Sequence, residues 1–374
     1  MTGSKIFSIF VILISGGFLV WISYTETNIK TILPSFNSKL KTRENKTIVL
    51  YTSFFGERPW LFVHEHQDYT KTCGCDFNSC RLTYTTSEVS KADAVLFHAR
   101  NMPGLAELDN LNKVRKPNQK WIYFIMENPR NAPDVRPLDK YFDWTLTYRL
   151  SSDFRMPYAR HMRIIGEKPA LNVNYAQGKT KQVAWFVSNC NNKRDKLVFK
   201  LEELGVQVSV GGACANKFPH QIQCSDRDCK DELRNHRFYF AAENGLCEDY
   251  ITEKYWYKSS EVNTIPIVLG GSNYYDSKLA IPGSFIDPFD FENPEKLANH
   301  LQELTKNNTM FNSYFKWKTE WKLYGLGRGC EEFMCDICTK LHEKPLMKSR
   351  KLSSQINPQR ECDPKEAAFI KWLS

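Results

Sequence analysis

The chain has 374 residues, 12 cysteines and a formal net charge of +9. Its basic residues are dispersed, apart from a cluster at Lys344, Lys348, Arg350 and Lys351, and the sequence shows neither a reading helix nor a zinc finger. The composition therefore argues against a nucleic-acid partner. So many cysteines favour an oxidising compartment in which disulfides form.

The N-terminal segment predicts a membrane anchor. The run from Ile6 to Tyr24, IFSIFVILISGGFLVWISY, carries no charge and is just long enough to cross a thin bilayer as a helix. Lys5 precedes it, so we expect residues 1–5 to be a cytosolic tail and the protein to be single-pass type II. A cleaved signal peptide is the alternative. Residues 25–47 are polar and predict a flexible stem.

Strand-like runs then alternate with polar or helical segments, which predicts an α/β fold. TIVLYTS, ADAVLFHAR and KWIYFIM define a first α/β domain over residues 48–163. Residues 164–181 contain Gly166, Pro169 and Gly178 and are interpreted as a linker. VAWFVSN, VQVSVGG, RFYFAAE and TIPIVLG define a second domain over residues 182–341, and residues 342–374 form a C-terminal extension.

Cysteines and sequons indicate a lumenal body. Asn45-Lys-Thr and Asn307-Asn-Thr are acceptors for N-glycosylation only on the lumenal side. Cys224 and Cys229 are expected to clamp a loop, and among Cys73, Cys75 and Cys80 we expect a local bridge plus one sulfur with a distant partner. For Cys335-Asp-Ile-Cys338 we favour a short-loop disulfide over zinc, because no second ligand pair completes a tetrahedral set.

The stretch from Arg237 to Gly271 predicts an anion-binding unit. Phe238 to Ala242 is expected to be a buried strand, Asp249 to cap a helix from about Tyr250 to Glu261, and Ile265 to Leu269 to be the next parallel strand. In such a unit the loop and the helix start lie at the carboxyl ends of the strands, where ligands of open α/β sheets bind. Free backbone NH groups and the helix dipole favour an anion there.

Three side chains of this unit suit a sugar nucleotide. Tyr250, Glu253 and Lys254 are three and four residues apart and would share one helical face. Lys254 would neutralise diphosphate charge and Glu253 would accept hydrogen bonds from sugar hydroxyls. The alternative is a solvated helix face with a routine ion pair.

The wider sequence resembles the α1,3/4-fucosyltransferases. The segments that carry the resemblance, in chain order, are WIYFIMENPRNAP, FDWTLTYRLSSDFRMPY, AWFVSNCNNKRDKL, ENGLCEDYITEKYW, IPIVLGGSNY, PGSFIDPFDFENPEKLANHLQEL and YFKWK. They span roughly Ile48 to Leu341. The resemblance implies a GT-B-like fold, in which two Rossmann-like domains face a cleft, and an anchored Golgi enzyme that uses GDP-fucose.

The resemblance also implies roles for individual residues. Glu127 follows the apolar run Trp121 to Met126 and matches the family's proposed general base, although without the resemblance it reads as an ordinary surface carboxylate. Arg194 matches a basic residue that grips phosphate, beside Lys254. The matching donor contacts are Ser188, Asn189, Asn244, Tyr250 and Glu253; for Ser188 and Asn189 a turn after a strand is the alternative.

His98 ends the run ADAVLFH and is a candidate to meet acceptor hydroxyls, with a core histidine as the alternative. We assign no metal site and no obligatory cofactor, and expect manganese or magnesium at most to stimulate. Asp226-Arg-Asp228 is a DxD string like the manganese ligands of another transferase fold, but it lies in a polar loop between two cysteines.

Two departures from the family pattern concern the acceptor. The family's acceptor-side segment usually reads ESP, whereas this chain has Glu127-Asn128-Pro129, and sulfur is uncommon at Cys190, Cys214 and Cys247. The favoured function is GDP-fucose:glycan α1,3-fucosyl transfer to a GlcNAc-containing glycan on glycoprotein or glycolipid. The alternatives are a transferase of the same architecture with another sugar nucleotide, and an anchored glycan-binding protein without catalysis.

Overall fold

The computed structural model of the protein describes residues 45–60, 63, 75, 79–169, 172–190, 192–224, 226–325, 332–343 and 349–374. The predicted tail and membrane anchor, the stem up to residue 44, and Cys73 lie outside these residues. Among the residues described, no helix combines the length and the apolar character that a membrane crossing needs. The localisation therefore stays a prediction.

Seven of the twelve strands in the described chain follow the predicted apolar runs, and the other five were not predicted. In chain order they are β1 (Lys46–Leu50), β2 (Cys80–Thr83), β3 (Ala94–His98), β4 (Lys120–Phe124), β5 (Trp144–Thr147), β6 (Phe154–Arg155), β7 (Ala159–Arg163), β8 (Lys181–Phe186), β9 (Val208–Gly211), β10 (His236–Ala242), β11 (Ile265–Leu269) and β12 (Trp321–Gly325).

Helices alternate with these strands and also fill the C-terminal part. They are α1 (Leu105–Lys113), α2 (Asp195–Glu203), α3 (Asp226–Arg234), α4 (Pro294–Lys306), α5 (Asn308–Ser313), α6 (Glu332–His342), α7 (Leu352–Gln355), α8 (Pro358–Glu361) and α9 (Asp363–Leu373). Short 3₁₀ helices cover Thr86–Lys91, Ala99–Asn101, Arg136–Leu138, Ala215–Lys217, Ser260–Val262, Pro288–Asp290 and Lys316–Thr319, and a π-helix covers Lys254–Ser259. The segment that holds the DxD string is thus the start of α3 rather than a loop.

The first sheet is parallel and buried on both faces. Its strand order is β2-β1-β3-β4-β5-β6, and each neighbouring pair of strands in it is parallel. Successive side chains point to opposite faces of a strand. Accordingly Ala94 and Leu96 of β3 pack into one core, whereas Val95 and Phe97 pack into another. This explains why the strand appears in the sequence as a continuous apolar run.

The second sheet repeats this arrangement with four parallel strands in the order β11-β10-β8-β9. Phe238 and Phe240 of β10 pack on one face, whereas Tyr239 and Ala241 pack on the other. The predicted α/β class is confirmed by these two parallel sheets. Strands β7 and β12 form a third, two-stranded antiparallel sheet. Asn45–Ser374 form one compact unit that contains all three sheets.

The chain after β12 packs against both sheets. Helix α6 contributes Phe333, Met334 and Ile337 to the core of the first sheet, although the sequence assigned residues 182–341 to the second domain. Residues 349–374, which we name the C-terminal strap, contribute Leu352 to the first sheet's other core and Phe369 to the core of the second sheet. Burial of apolar side chains, rather than chain order, decides where these helices pack.

The disulfides correct part of the predicted pairing. Cys335 bonds to Cys75 and Cys338 bonds to Cys80, so the predicted short-loop disulfide between Cys335 and Cys338 is wrong, and so is the predicted local bridge among Cys73, Cys75 and Cys80. The two cysteines of the Cys335-Asp-Ile-Cys338 motif lie on α6, so this helix is bonded to Cys75 and to Cys80 of β2. The clamp between Cys224 and Cys229 is confirmed. The remaining bridges in the described chain are Cys190–Cys214 and Cys247–Cys362.

Candidate active site

Glu127 follows β4 at the carboxyl edge of the first sheet. Its side chain is half-buried, and Oε2 accepts long hydrogen bonds from Asn131 Nδ2 and from the Tyr250 hydroxyl, both at 3.4 Å. Tyr250 belongs to the loop after β10, in the other sheet. The predicted base therefore lies beside the predicted donor loop, although the two are 123 residues apart in sequence.

Tyr250 is held as a neutral hydroxyl. Its side chain is 1% exposed, and its ring packs against those of Tyr148 and Tyr158, with centroids 5.0 and 6.1 Å away. Burial raises the pKa of Tyr250 well above its ordinary value, since a phenolate would lose its hydration. The hydroxyl thus keeps its proton and donates towards the Glu127 carboxylate.

Asn128 joins the two sides of the site. It is fully buried, and its Nδ2 donates to Asn244 Oδ1 at 2.8 Å while its Oδ1 accepts from the backbone N of Arg130 at 3.0 Å. A Cβ added at Gly245 would lie 3.0 Å from Asn128 Oδ1, so glycine is needed for this close approach. The sequence marked Asn128 only as a departure from ESP, and that departure was the available signal.

A fully buried carboxylate organises the donor loop. Glu243 follows β10 and is 0% exposed. Its Oε1 accepts from the backbone N of Thr252 and its Oε2 from the Thr252 hydroxyl, both at 2.8 Å, and Lys254 Nζ lies 3.3 Å from Oε2. Glu243 opens the segment ENGLCEDYITEKYW, but no role was predicted for it. Its position directly before Asn244 at a strand end was the signal.

Burial and the nearby carboxylates shift the pKa of Lys254 in opposite directions. Burial acts to lower the pKa of Lys254, but the carboxylates of Glu243 and Glu253 more than compensate, and the pKa is raised above its ordinary value. For the acid Glu243 burial acts in the other direction and raises the pKa, and the positive charge of Lys254 opposes that effect. Lys254 Nζ also donates to Thr252 Oγ1 at 2.8 Å and to Glu253 Oε1 at 3.2 Å. The ammonium is thus charged and fixed at this edge.

The predicted helix start is wrong by about four residues. Asp249 has a positive φ of 59° and does not cap a helix; its Oδ2 accepts from the backbone N of Leu150 at 3.0 Å. The helical segment begins at Lys254 as a π-helix, so Tyr250 and Lys254 do not share one helical face. Instead Tyr250 points to Glu127 and Lys254 to Glu243. Contacts with the loops that follow β4 and β5, which local spacing does not reveal, hold the chain out of a helical conformation as far as Thr252.

Arg194 lies inside the protein at the start of α2. Its side chain is 2% exposed, Nη1 donates to the Ala242 carbonyl at 2.7 Å, and Nη2 donates to the Asn189 carbonyl at 3.2 Å. The guanidinium also lies over the Trp185 ring, 5.5 Å from its centroid. Burial lowers the pKa of Arg194, against the opposing effect of Glu243. In this conformation the two Nη atoms of Arg194 fix the loop after β8 to the end of β10, while its Nε is buried without a protein partner.

The loop after β8 carries two residues that were predicted to contact the donor. Ser188 and Asn189 are exposed. Asn192 Nδ2 donates to the Asn244 carbonyl at 2.9 Å, which places this loop beside the donor loop. Ser188 and Asn189 are therefore at the same edge as Lys254 and Asn244, as the sequence predicted for parallel strands.

His98, the acceptor-side candidate, is a core residue in this structure. It is 1% exposed and lies among the rings of Phe54, Phe55 and Phe124, whose centroids are 4.6, 4.9 and 5.5 Å away. Its Nδ1 is 2.9 Å from Asn101 Oδ1. Burial lowers the pKa of His98, which favours a neutral ring. The geometry matches the alternative interpretation rather than direct contact with acceptor hydroxyls.

One group among the described residues has the spacing of a metal site: Cys80, Cys338 and His342. Cys80 and Cys338 are bonded to each other, and a disulfide sulfur is not the thiolate that binds metal. The side chains of Asp226 and Asp228 lie outside the described atoms, so the DxD string remains untested.

The two predicted glycosylation sites are on the surface. Asn45 is exposed directly before β1. Asn307 is exposed at the start of α5, where its Oδ1 accepts from the backbone N of Met310 at 3.0 Å. This bond uses the oxygen of the side chain, whereas an N-glycan attaches to the nitrogen.

Comparison with known proteins gives two adjoining family matches. A family described as "Fucosyltransferase, N-terminal" matches residues 43–159, and one described as "Glycosyltransferase family 10 (fucosyltransferase) C-term" matches residues 176–357. The first match covers the first sheet and the second covers the second sheet and part of the strap.

Similar proteins come from several animals. An alpha-(1,3)-fucosyltransferase of Caenorhabditis elegans is 32% identical over 80% of this chain and 76% of its own. A 3-galactosyl-N-acetylglucosaminide 4-alpha-L-fucosyltransferase of Bos taurus is 34% identical over 71% of both chains. A crystal structure of an alpha1,3-fucosyltransferase with GDP-fucose has a TM-score of 0.47 and 15% identity, and the alignment covers 82% of this chain and 93% of that one.

Proposed function

This chain belongs to the fucosyltransferases of glycosyltransferase family 10, and from that premise we propose that it is an α1,3-fucosyltransferase. It would move L-fucose from GDP-fucose to a GlcNAc-containing glycan on glycoprotein or glycolipid, with inversion. The donor would lie between the carboxyl edges of the two sheets, in a GT-B-like cleft. Similar proteins at more than 30% identity over most of the chain support the reaction class.

The observation that carries the proposal is the meeting of Glu127 with the donor loop. An inverting transferase needs a base near the acceptor hydroxyl and a positive group near the departing diphosphate. Glu127 Oε2 lies 3.4 Å from the Tyr250 hydroxyl, and Tyr250 is four residues before the half-buried Lys254. A carboxylate at the edge of one sheet is thus in contact with the loop that leads to a cation of the other sheet.

In the proposed transfer step one bond to the anomeric carbon forms while another breaks. Glu127 accepts the proton of the acceptor hydroxyl while that oxygen bonds to the anomeric carbon of fucose. The bond from this carbon to the diphosphate breaks, and GDP leaves with the electron pair. Tyr250, which is protonated, donates to Glu127 before the reaction and keeps the carboxylate oriented. The new proton on Glu127 is then lost to solvent, because the side chain is only half-buried.

Stabilisation of the leaving group falls to Lys254 in this proposal. Glu243 and Glu253 keep its ammonium charged, and the exposed residues Ser188 and Asn189 would bind the nucleotide or fucose together with Asn244. Arg194 contributes by fixing the Asn189 carbonyl rather than by gripping phosphate in the conformation described. A divalent cation is at most stimulatory in this scheme, which predicts that turnover persists in excess EDTA.

We also propose that the enzyme is a single-pass type II protein of the Golgi membrane. The uncharged run at residues 6–24 and the exposed sequons at Asn45 and Asn307 support a lumenal body. Glycosidase treatment should shift the mobility of the expressed protein, and protease should spare its body in sealed microsomes. An unglycosylated body that protease digests in intact microsomes would contradict this topology.

The function is tested with purified full-length protein in detergent. Each of GDP-fucose, GDP-mannose and UDP-galactose is offered with an array of neutral N-acetyllactosamine and N-glycan acceptors, and products are identified by mass and by linkage-specific fucosidases. We expect transfer from GDP-fucose and an α1,3 linkage. Transfer from another donor would favour a transferase of the same architecture that uses another sugar nucleotide. Glycan binding without transfer from any donor would favour a non-catalytic protein.

A further inference from the structure

The first turn of α9, in the C-terminal strap, is attached to the donor loop. Cys362, which directly precedes α9, is bonded to Cys247 of the donor loop, and the backbone N of Glu248 donates to the Glu361 carbonyl at 2.9 Å. Glu366 lies one helical turn later, and its backbone N donates to the Cys362 carbonyl at 3.0 Å. The start of α9 is therefore fixed to the donor loop, and Glu366 belongs to this fixed turn.

The carboxylate of Glu366 is buried and pairs with two cations. Its side chain is 7% exposed. Arg130 binds it through two hydrogen bonds, from Nε to Oε1 at 2.7 Å and from Nη2 to Oε2 at 2.8 Å. Lys193 Nζ also donates to Oε2, and Asp363 accepts a further hydrogen bond from Arg130 Nη2. Exposed ion pairs contribute little to stability, but a bidentate pair on a buried carboxylate fixes the position and the orientation of the arginine.

Arg130 belongs to the turn that carries Glu127. Asn128 Oδ1 accepts from the backbone N of Arg130 at 3.0 Å and from that of Asn131 at 3.3 Å, and the backbone N of Asn131 also donates to the Asn128 carbonyl at 3.0 Å. Asn131 Nδ2 donates to Glu127 Oε2 at 3.4 Å. The carboxylate of Glu366 is thus connected to the proposed base through one short turn that is closed by hydrogen bonds.

Lys193 belongs to the loop after β8, which carries the proposed donor contact Asn189. The neighbouring Arg194 donates to the Asn189 carbonyl at 3.2 Å, and Asn192 Nδ2 donates to the Asn244 carbonyl at 2.9 Å. The ion pair of Lys193 therefore fixes the strap to a loop of the second sheet that itself contacts the donor loop.

One carboxylate thus contacts loops that follow strands of both sheets. The proposed transfer needs the base and the donor to be placed correctly relative to each other, and a displacement of about 1 Å can cost about 10²-fold in rate. A cluster of ion pairs that only stabilises the fold is the alternative. The alternative predicts a lower melting temperature on substitution but no change in kinetic constants below the unfolding transition.

We propose that Glu366 is a positioning residue for fucosyl transfer. By pairing with Arg130 and Lys193 at once, it sets the place of the base Glu127 relative to the donor-binding loops. Glu366 touches neither substrate and takes no part in bond making. This inference rests on the proposed function and deepens it, and it assigns a different kinetic effect to each of the two cations.

Steady-state kinetics of the full chain in detergent, with GDP-fucose and an acceptor that the wild type uses, measures these effects. Glu366→Gln keeps the size of the side chain but removes the charge that Arg130 and Lys193 share. We expect kcat to fall about tenfold or more and KM for GDP-fucose to rise, because both loops lose their anchor. Arg130→Gln should mainly lower kcat, whereas Lys193→Gln should mainly raise KM for GDP-fucose.

Asp143→Asn is the matched control. Asp143 is also a carboxylate paired with two cations, Arg115 and Lys120, and is 15% exposed, but it lies directly before β5 at the amino edge of the first sheet. This variant should lower the melting temperature, as Glu366→Gln does, and keep the wild-type kcat and KM. The proposal is overturned if folded Glu366→Gln has wild-type constants, or if Asp143→Asn loses activity equally.

Double variants test whether Glu366 acts through its two partners. Glu366→Gln should have little further effect on kcat in the Arg130→Gln background and little further effect on KM in the Lys193→Gln background. Full effects in both backgrounds would overturn the proposal. Arg130 and Lys193 are 36% and 48% exposed, so their single variants should fold even if Glu366→Gln does not. Wild-type kinetics of both single variants would then count against the proposal in the same way.

Hydrogen exchange separates this inference from the proposed function. The backbone amides of Asn131 and Asp195 donate to the Asn128 and Asn192 carbonyls at 3.0 Å, one in each of the two loops that Glu366 holds. Glu366→Gln should speed exchange in peptides that contain either amide, and Asp143→Asn should not. If the wild type transfers sugar from no donor, the proposed function fails, and exchange still decides whether Glu366 fixes the two loops. Unchanged exchange at both amides would overturn that role.

Discussion

The donor loop from Glu243 to Lys254 and the acceptor-side segment at Glu127 differ in how firmly they are held. In the donor loop a fully buried carboxylate accepts two hydrogen bonds of 2.8 Å from Thr252 and lies 3.3 Å from the ammonium of Lys254. Glu127 is half-buried and accepts only two hydrogen bonds of 3.4 Å among the contacts described for it. The donor loop is thus organised in advance, whereas the carboxylate of Glu127 stays available to a ligand.

This difference fits the two tasks in the proposed reaction. Charge that develops on a leaving diphosphate is best met by groups already fixed in place, because reorganisation during the reaction would raise the barrier. A general base instead has to meet a hydroxyl that arrives with each new acceptor, and its hydrogen bonds tighten only when that partner is present. The variants below test whether the two regions divide the work in this way.

The largest effect is expected at Glu127. Glu127→Gln keeps the shape and the hydrogen bonds but removes the proton affinity, so kcat should fall about 10²–10⁴-fold while GDP affinity is unchanged. Steady-state kinetics and calorimetric titration with GDP measure the two quantities. Glu303→Gln, on the exposed face of α4, is the control. Near-normal turnover of Glu127→Gln, or a large loss of GDP affinity, would make Glu127 a structural residue.

The second effect concerns the cation of the donor loop. Lys254→Ala should weaken GDP and GDP-fucose together by about 1.5–3 kcal/mol, the range for hydrogen bonds to charged groups. Lys278→Ala, at an exposed lysine outside the donor loop, should leave both affinities unchanged. Calorimetric titration measures both affinities. A melting curve verifies folding, because Glu243 loses its cationic partner in this variant. A folded Lys254→Ala protein with wild-type affinity for GDP would remove Lys254 from the donor site.

The third effect is a change in pH dependence at Glu243. Glu243 and Glu253 raise the pKa of Lys254 against the effect of burial, so in Glu243→Gln that pKa should fall. Lys254 binds the diphosphate as an ammonium, and affinity for GDP should therefore decline on the alkaline side at a lower pH than in the wild type. At pH 7 the loss should be a few-fold.

Titration of GDP binding between pH 7 and 10 measures this shift. Glu261→Gln serves as the control, because its carboxylate pairs with Lys230 on the surface. If Glu243→Gln weakens GDP binding equally at every pH, the buried carboxylate acts only through the shape of the loop. The comparison between the two regions would then rest on packing rather than on charge.

The smallest effect is expected where the two regions meet. Asn128→Ser restores the residue usual in the family but removes the donor to Asn244, so the free energy of unfolding should fall by about 1–2 kcal/mol. Because Asn128 fixes both loops, KM for GDP-fucose should rise modestly with little change in kcat. Asn118→Ser, in an exposed loop, is the control. Unchanged stability and KM would mean that the bridge between the loops is dispensable.

Much of the fold follows from local patterns. The apolar runs at β3, β4, β10 and β11 predicted buried parallel strands, because strands covered on both faces lack alternation. Glu127 and Lys254 were also expected beyond the carboxyl ends of strands, where ligands of open α/β sheets bind, and each follows a strand of its own sheet. The Cys224–Cys229 bridge was predictable because its cysteines are only five positions apart in sequence.

Contacts between distant segments decided the rest. The partners of Cys335 and Cys338, the burial of Arg194 and His98, and the bridge from Asn128 to Asn244 join residues whose separation in sequence says nothing of their distance in space. A non-helical loop before Lys254 replaced a predicted helical turn because Asp249 and Tyr250 have partners in the loops that follow β5 and β4. Local spacing fixes which side chains one element presents. Which of them meet is set by the free energy of burying and pairing groups from separate elements, and only the packed tertiary structure determines that.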